Sequence, residues 1–170
     1  MMTAVMMVLC VAAFAQDGKS IYNKYSDKEN VSAVYISPSM FKLIGNLPDI
    51  SMPDEDVNLT PYIKELKGMY LIDSENASIN SALLADAEKM VKSGKYELLM
   101  EAKDSGEIAR IYVVTSADMV LSFVMISSEP GECTVICIDG KIAKTDIEKL
   151  LSAAMESGVL LKKSQKYGGG

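Results

Sequence analysis

The chain has 170 residues, of which 49% are apolar and 24% charged, and this balance predicts one folded domain with a proper core. Its net charge is −6 and Arg110 is its single arginine, which argues against binding to nucleic acid, because that requires clustered Lys and Arg. The absence of histidine excludes Ser-His-Asp and Cys-His catalytic sites and every metal site ligated by histidine. Carboxylate chemistry, Ser-Lys pairs and oxygen-ligated calcium remain open.

Residues 1–15 are predicted to be a signal peptide. The run from Thr3 to Ala15 has no charge and ends in Ala13-Phe14-Ala15, the small-x-small pattern at which a signal peptidase cuts. It is too short for a spanning helix, which needs about twenty apolar residues, so no membrane span is expected after cleavage. Lipidation at Cys10 and a true start upstream of Met1 remain open.

Cleavage would make Gln16 the first residue of the mature protein. We expect residues 16–161 to form a single domain, located in the periplasm or associated with the outer envelope, and residues 162–170 to be a disordered tail.

The first half of the mature chain is predicted to mix helices with short strands. Ser37 and Thr60 each precede a proline, which is typical of a helix start, and a glycine follows each helical stretch. The predicted elements, in order, are a helix at 18–28, a strand at 31–36, a helix from Ser37-Pro38 to Gly45, an exposed acidic loop at 46–58, a helix from Thr60-Pro61 to Gly68 and a strand at 69–72.

The second half is predicted to contain a long helix, four strands and a final helix. In the long helix Ile79, Leu83 and Ala87 recur on one face, and from Tyr96 onward the apolar period changes to two. The predicted elements, in order, are a helix capped by Asn76 or Ser78 and ended by Ser93-Gly94, strands at 96–103, 108–115, 120–127 and 133–138, and a helix from the capping box Thr145 to Glu148 up to Gly158. This order predicts an α+β fold, with a largely antiparallel sheet, a C-terminal four-strand meander and helices packed on one face.

A partial calcium motif lies in the acidic loop. Asp54, Asp56 and Asn58, followed by Glu65 at the twelfth position, match the spacing of EF-hand ligands. The sixth position needs glycine and is Leu59 here. A solvated acidic loop before a capped helix is the preferred interpretation, and no metal site is assigned.

Cys133 and Cys137 fall on one face of a predicted strand, about 13 Å apart at roughly 3.3 Å per residue. Bridged cysteines have Cα atoms within about 7 Å, so a disulfide between them is excluded on this interpretation. Asp139-Gly140 is interpreted as the turn that follows the strand. We expect two buried free thiols.

Three further groups of residues have both structural and functional interpretations. Arg110 could anchor an anion or join a buried ion pair, although such an arginine more often extends across the open face of a sheet. Glu97 and Glu101 are predicted to share a strand face about 13 Å apart, which is too far for the two carboxylates of a glycosidase. Seven tyrosines could line a ligand groove, but the edges of a core are the preferred place for them. They are Tyr22, Tyr25, Tyr35, Tyr62, Tyr70, Tyr96 and Tyr112.

The chain also contains four strings of packing and turn motifs that cover most of its mature part. They are Tyr22-Asn23-Lys24-Tyr25, VYISPSMFKLIG, YELLMEAKDSGEIARIYV and VICIDGKIAKTDIEKL. With the order of elements, they resemble a family of small exported proteins from Bacteroidetes that is catalogued only as a domain of unknown function. The resemblance implies export to the cell envelope and implies no substrate or catalytic residue.

No stretch carries a catalytic or cofactor signature, so no catalytic residue and no cofactor are assigned. The sequence favours a non-enzymatic envelope protein that binds an envelope protein or a small ligand, through the open sheet face or the loop at 46–58. A small hydrolase using carboxylates or a Ser-Lys pair and a calcium-stabilised adhesion or assembly protein are the alternatives. The oligomeric state is left open.

Overall fold

The computed structural model of the chain describes residues 17–45, 63–93 and 96–147. The helices and strands in these ranges are α1 (Gly18–Tyr25), β1 (Val31–Ile36), α2 (Pro38–Ile44), β2 (Leu66–Ser74), α3 (Ala77–Ser93), β3 (Glu97–Asp104), β4 (Glu107–Ser116), β5 (Met119–Glu129) and β6 (Glu132–Ala143). Residues 144–147 are helical and follow β6 directly. The predicted α+β fold with an antiparallel sheet is confirmed. None of the described helices is long and apolar enough to span a membrane.

The six strands form one antiparallel sheet in the order β1-β2-β6-β5-β4-β3. Strands β3 to β6 are neighbours in sequence as well as in the sheet, and tight turns join them. Gly106 and Gly131 have φ values of 95° and 94° in two of these turns, a conformation that glycine adopts without strain. Among the described strands, β1 and β3 are therefore the two edges of the sheet.

The core lies between one face of the sheet and helices α1 and α3. Leu83, Ala87 and Met90, which follow one another along α3, are fully buried together with Ile72 of β2 and Val135 of β6. We call this side of the sheet the helix-covered face and the other side the opposite face. The long helix is amphipathic as its sequence predicted.

Polar side chains cap the helices, at Ser37 and Asn76 as predicted and also at Asp17, for which no cap was predicted. Asp17 accepts a hydrogen bond from the Ser20 N–H at 2.8 Å, and Ser37 accepts one from Met40 at 3.3 Å. At α3, Asn76 is the cap, because its Oδ1 accepts a hydrogen bond from the Ser78 N–H at 3.0 Å. The choice between Asn76 and Ser78 is thereby decided.

Two predictions near the start of β2 were wrong. Leu66 belongs to β2 and pairs with Gly140, so the predicted helix does not continue to Gly68. Asp139-Gly140 is not a turn, because β6 runs on to Ala143. A side chain at Gly140 would lie 3.0 Å from the Glu65 carbonyl oxygen, so glycine permits this close approach of the two strands.

Several predictions lie outside the described residues. They are the signal peptide at 1–15 with Cys10, the loop at 46–58, the start of the helix at Thr60-Pro61, the glycine that ends the long helix, the final helix beyond residue 147, and the tail at 162–170.

Candidate interaction surface

Strand β1 lies at an edge of the sheet and has no charged side chain. It pairs with β2 over its whole length, from Val31 opposite Ser74 to Ile36 opposite Met69, and no other described strand borders it. Val34 is 45% exposed and Tyr35 is 46% exposed. Native sheets usually protect such an edge with charges, proline or bulges, because its free N–H and C=O groups can pair with another chain. β1 has none of these protections.

Helix α2 continues this apolar edge. Ser37 caps it, Pro38 occupies its first turn, and Phe41 anchors it by being buried. Its outer side is apolar as well, since Met40 is 47% and Leu43 is 64% exposed. We call the edge that carries the four exposed side chains the β1–α2 surface. These side chains are Val34, Tyr35, Met40 and Leu43. Val34 points to the opposite face of the sheet and Tyr35 to the helix-covered face.

Two other tyrosines hold Tyr35 in place. Its ring stacks on that of Tyr70 with a centroid separation of 5.0 Å, and the ring of Tyr22 lies 5.9 Å from Tyr35. Burial raises the pKa of the Tyr70 phenol. Since the rings contact one another, these three tyrosines form the edge of the core rather than the walls of a groove. Tyr62 lies outside the described residues.

A group of polar side chains meets at the N-terminus of α1. Asp139 of β6 accepts a hydrogen bond from Ser122 of β5, whose Oγ lies 3.4 Å from the Tyr96 hydroxyl. Burial raises the pKa of the Asp139 carboxyl, and the charge of Asp17 contributes in the same direction. A carboxyl group of this kind is common at acid–base sites, so the cluster gives the hydrolase interpretation a specific residue.

Arg110 of β4 joins an ion-pair network with α3. Its Nε donates to Glu101 at 2.7 Å and its Nη1 donates to Glu88 at 2.9 Å. The preferred prediction for Arg110 was wrong, because its side chain lies on the helix-covered face and not on the open one. Two carboxylates already neutralise this guanidinium, which argues against a role in binding an anion.

The prediction that Glu97 and Glu101 share a strand face was also wrong. Glu97 pairs with Val113 and Glu101 pairs with Arg110, and a register shift between Leu98 and Met100 separates the two pairs. Partners three residues apart on β4 point to opposite faces, so the two carboxylates do too. Their exclusion as a glycosidase pair stands for this stronger reason.

Cys133 and Cys137 are both buried and free, as predicted. Burial raises the pKa of Cys133 to about 11 and that of Cys137 to about 12. Thiols with such pKa values hold their proton at neutral pH and are poor nucleophiles.

The calcium motif cannot be assembled from the described residues. Asp54, Asp56 and Asn58 lie outside them, and Glu65 is an exposed residue immediately before β2. In the described ranges, no group of three Asp, Glu or Cys side chains could hold a metal ion. The calcium alternative therefore stays a prediction.

A shallow depression of about 220 Å³ lies between α3 and the turn that joins β5 to β6. Asn80 contributes to its wall, but the Asn80 side chain is already bonded, since its Nδ2 donates to the Gly131 carbonyl at 2.9 Å and its Oδ1 accepts from Ser74 at 2.6 Å. Ligand pockets are usually about 300 to 1,000 Å³, so this depression is small and its main polar group is engaged in the fold.

These observations define a small α+β protein with a single described sheet, one edge of which, β1, has no charge, proline or bulge and no bordering strand among the described residues. Residues 25–150 match the family described as Domain of unknown function (DUF4252), and the chain belongs to this family. The match covers every strand of the sheet, from β1 to β6. No curated protein and no solved structure matches the chain.

The β1–α2 surface was not recognised from the sequence, although a signal was present. Between Val31 and Gly45 the sole charged residue is Lys42, and the strand and the helix were both predicted correctly. The sequence did not predict which side of each element is exposed, because this depends on the position of β1 at the edge of the sheet.

Proposed function

We propose that this protein is an exported, non-enzymatic interaction module of the cell envelope that binds a partner protein along the edge formed by β1 and α2. The observation that carries the proposal is the uncharged edge strand next to the exposed apolar side chains Met40 and Leu43. A solvent-exposed edge of this composition readily pairs with another chain, so it fits a site that binds a specific partner.

The chemistry of the edge specifies the partner. An extended segment of a second protein would add a strand outside β1, and its backbone would pair with the outer N–H and C=O groups of β1. Its side chains next to α2 would be apolar, because Leu43 and Met40 offer no polar group to a neighbour. It would also be uncharged along β1, where a charge would be desolvated without a counter-charge.

Site-specific photocrosslinking in intact cells tests this proposal. A photoreactive residue at Ser32, an exposed position of β1, is expected to capture one discrete partner, whereas the same residue at the exposed Ala102 of the other edge, β3, is not. Val34→Lys should abolish the Ser32 product without loss of folding. A product of equal yield from both edges, or one insensitive to the lysine, would contradict the proposal.

Export is supported by the uncharged run from Thr3 to Ala15 and its Ala13-Phe14-Ala15 ending. Mass spectrometry of the native protein from the envelope fraction should find Gln16 at the N-terminus. An N-terminus at Met1 in the cytoplasmic fraction would contradict export while leaving the binding edge untouched.

A carboxylate-dependent hydrolase is the second candidate, and Asp139 is the observation that favours it. Its raised pKa and its bond to Ser122 suit a group that exchanges a proton. Asp139→Asn should leave the Ser32 crosslink unchanged if the binding proposal is right, and it would abolish any hydrolytic activity found in the wild type.

A further inference from the structure

The opposite face of the sheet has two adjoining rows of apolar side chains. The strand registers align one residue from each of the six strands in the first row. This row consists of Val34, Leu71, Ile136, Met125, Ile111 and Met100. The second row lies two residues nearer the C-terminal end of β6, runs from Ile36 to Glu97, and is apolar at every position except the glutamate. We call these two rows the apolar rows.

The rest of this face is polar or small. The row on the other side of the first one runs from Ser32 through Asp73 and Thr134 to Ala102, and the Thr134 hydroxyl donates to Asp73 at 2.8 Å. The face is thus divided along the strands. The polar row can face solvent. The two apolar rows need to be covered, because a contiguous apolar patch across six strands is larger than the patches that soluble proteins normally expose.

The burial of β4 indicates where the cover lies. Ile111 and Val113 belong to the two apolar rows, and each is only 5% exposed. Met100, the neighbour of Ile111 on β3, is 36% exposed. Helices α1 and α3 lie on the helix-covered face and so do not account for this burial.

The chain leaves the sheet at the apolar end. The second apolar row is the one nearer the C-terminus of β6, and residues 144–147 turn into a helix immediately after Ala143. The Lys144 N–H donates to the Asp118 carbonyl at 2.9 Å, which fixes the start of this helix beside the turn between β4 and β5. Residues 144–147 therefore lie at the end of the sheet to which the second apolar row belongs.

The sequence from Thr145 to Gly158 matches such a cover in pattern and length. Ile147, Leu150, Leu151 and Ala154 are spaced i, i+3, i+4 and i+7, which gives a helix one apolar stripe. As a helix, these fourteen residues would span about 21 Å at 1.5 Å per residue. The three strand spacings from β6 to β3 amount to about 14 Å at roughly 4.8 Å each, so the helix reaches across them.

We propose that residues 145–158 form an amphipathic helix that packs its apolar stripe on the apolar rows over β5 and β4. The domain then has three layers, with α1 and α3 on one face of the sheet and this helix on the other. The opposite face is then covered by the chain itself over β4 and β5, and among the described residues the β1–α2 surface lies at the other end of the sheet, away from this cover.

Charge substitution on the two sides of the segment tests the proposal in the full chain. Leu150→Asp with Leu151→Asp is expected to lower the melting temperature by about 10 °C or more and to raise the fluorescence of an apolar dye, because it uncovers the apolar rows. Lys149→Asp with Ser152→Asp changes the opposite side of the helix and should shift the melting temperature by about 2 °C at most. Equal effects of the two pairs would overturn the proposal.

Disulfide formation between introduced cysteines gives a second test, which does not depend on whether the aspartate variant folds. Phe123→Cys is combined in the full chain with Leu150→Cys, Leu151→Cys or, as a control, Lys149→Cys. Oxidation should yield an intramolecular bridge with at least one of the leucine positions and not with the lysine position, and the buried Cys133 and Cys137 should remain reduced. Absence of a bridge from both leucine positions, or an equal yield from the lysine position, would overturn the proposal.

Discussion

The two edges of the sheet differ in the way that they meet solvent. β3 is exposed along its whole length, but it has four charged residues and a register shift near Leu99. β1 has no charge and no register shift. Since charges and bulges discourage another chain from pairing, β3 is protected although Leu98 and Leu99 are half exposed, whereas β1 has neither protection and no second described strand borders it. The difference indicates that exposed apolar side chains alone do not identify a binding edge. The absence of charges and bulges from an edge strand is the more informative feature.

The edges also differ in how they are attached to the core, and the largest effect is expected where α1 supports β1. A Cβ at Gly18 would lie 2.5 Å from the Cys137 Cβ, so Gly18→Val forces α1 and its Tyr22 away from the sheet. We expect a loss of about 3 kcal/mol in the free energy of unfolding, measured by urea denaturation. Lys19→Val, at an exposed position of the same helix, is the control and should cost less than about 0.5 kcal/mol. Similar values for both would mean that α1 does not hold β1.

β3 is held by its backbone pairing with β4 and by an ion-pair network with Arg110, and the loss of this network should have a smaller effect that is sensitive to salt. Arg110→Met removes the bonds to Glu101 and Glu88, which keep their pairs with Lys103 and Lys92, so the expected loss of stability at low ionic strength is smaller than that of Gly18→Val. Thermal unfolding at low and high salt measures this loss, which should shrink in high salt because salt screens the ion pairs of Arg110 in the wild type. Tyr35→Leu on the β1 side is the comparison and should lose the same amount at both salt concentrations. A salt-independent loss for Arg110→Met would contradict this account.

A lysine introduced on each edge in turn tests whether charge protects that edge against aggregation. Val34→Lys on β1 should slow aggregation on mild heating by roughly tenfold, whereas Met100→Lys on the already protected β3 should change it by less than about twofold. Both residues belong to the first apolar row, so the two variants also control for apolar area removed. Light scattering at one fixed temperature below the midpoint measures the rates. Equal slowing by both lysines would remove the distinction between the edges.

The sequence predicted the helices and strands of this molecule better than the pairing of the strands and the faces on which their side chains lie. β1 was predicted at its observed bounds because the β-branched run from Val31 to Ile36 is followed by a helix cap at Ser37. Glu97 and Glu101 were misplaced because a bulge depends on how β3 meets β4, which no local pattern records. For Arg110, the strand was right and the face was wrong. The side of a strand that helices cover is decided by where α1 and α3 pack on the sheet, which is a tertiary property.

The same limit applied to the candidate site. The absence of charge in β1 is visible in the sequence, but its meaning depends on β1 lying at an edge, which follows from the insertion of β2 between β1 and β6. The raised pKa of Asp139 could not be predicted either, because the residue was interpreted as part of a turn and is instead a half-buried position in β6.

Asp139 lies between the two edges, and its substitution should have the smallest effect and a distinct pH dependence. Burial raises its pKa in the folded protein above the unfolded value, so its contribution to stability is full below the unfolded pKa and is lost as the pH rises through the folded one. Asp139→Asn cannot ionise, and we expect its melting temperature to exceed that of the wild type by a few degrees at pH 7 and to approach it at pH 3.

The difference between the two melting curves isolates Asp139, because Glu88 and Glu101, whose pKa values are lowered by Lys92 and Lys103, titrate in both proteins and cancel. Scanning the pH from 3 to 8 measures that difference. A variant less stable than the wild type at pH 7, or a gap that does not change with pH, would show that the Asp139 carboxylate stabilises the fold.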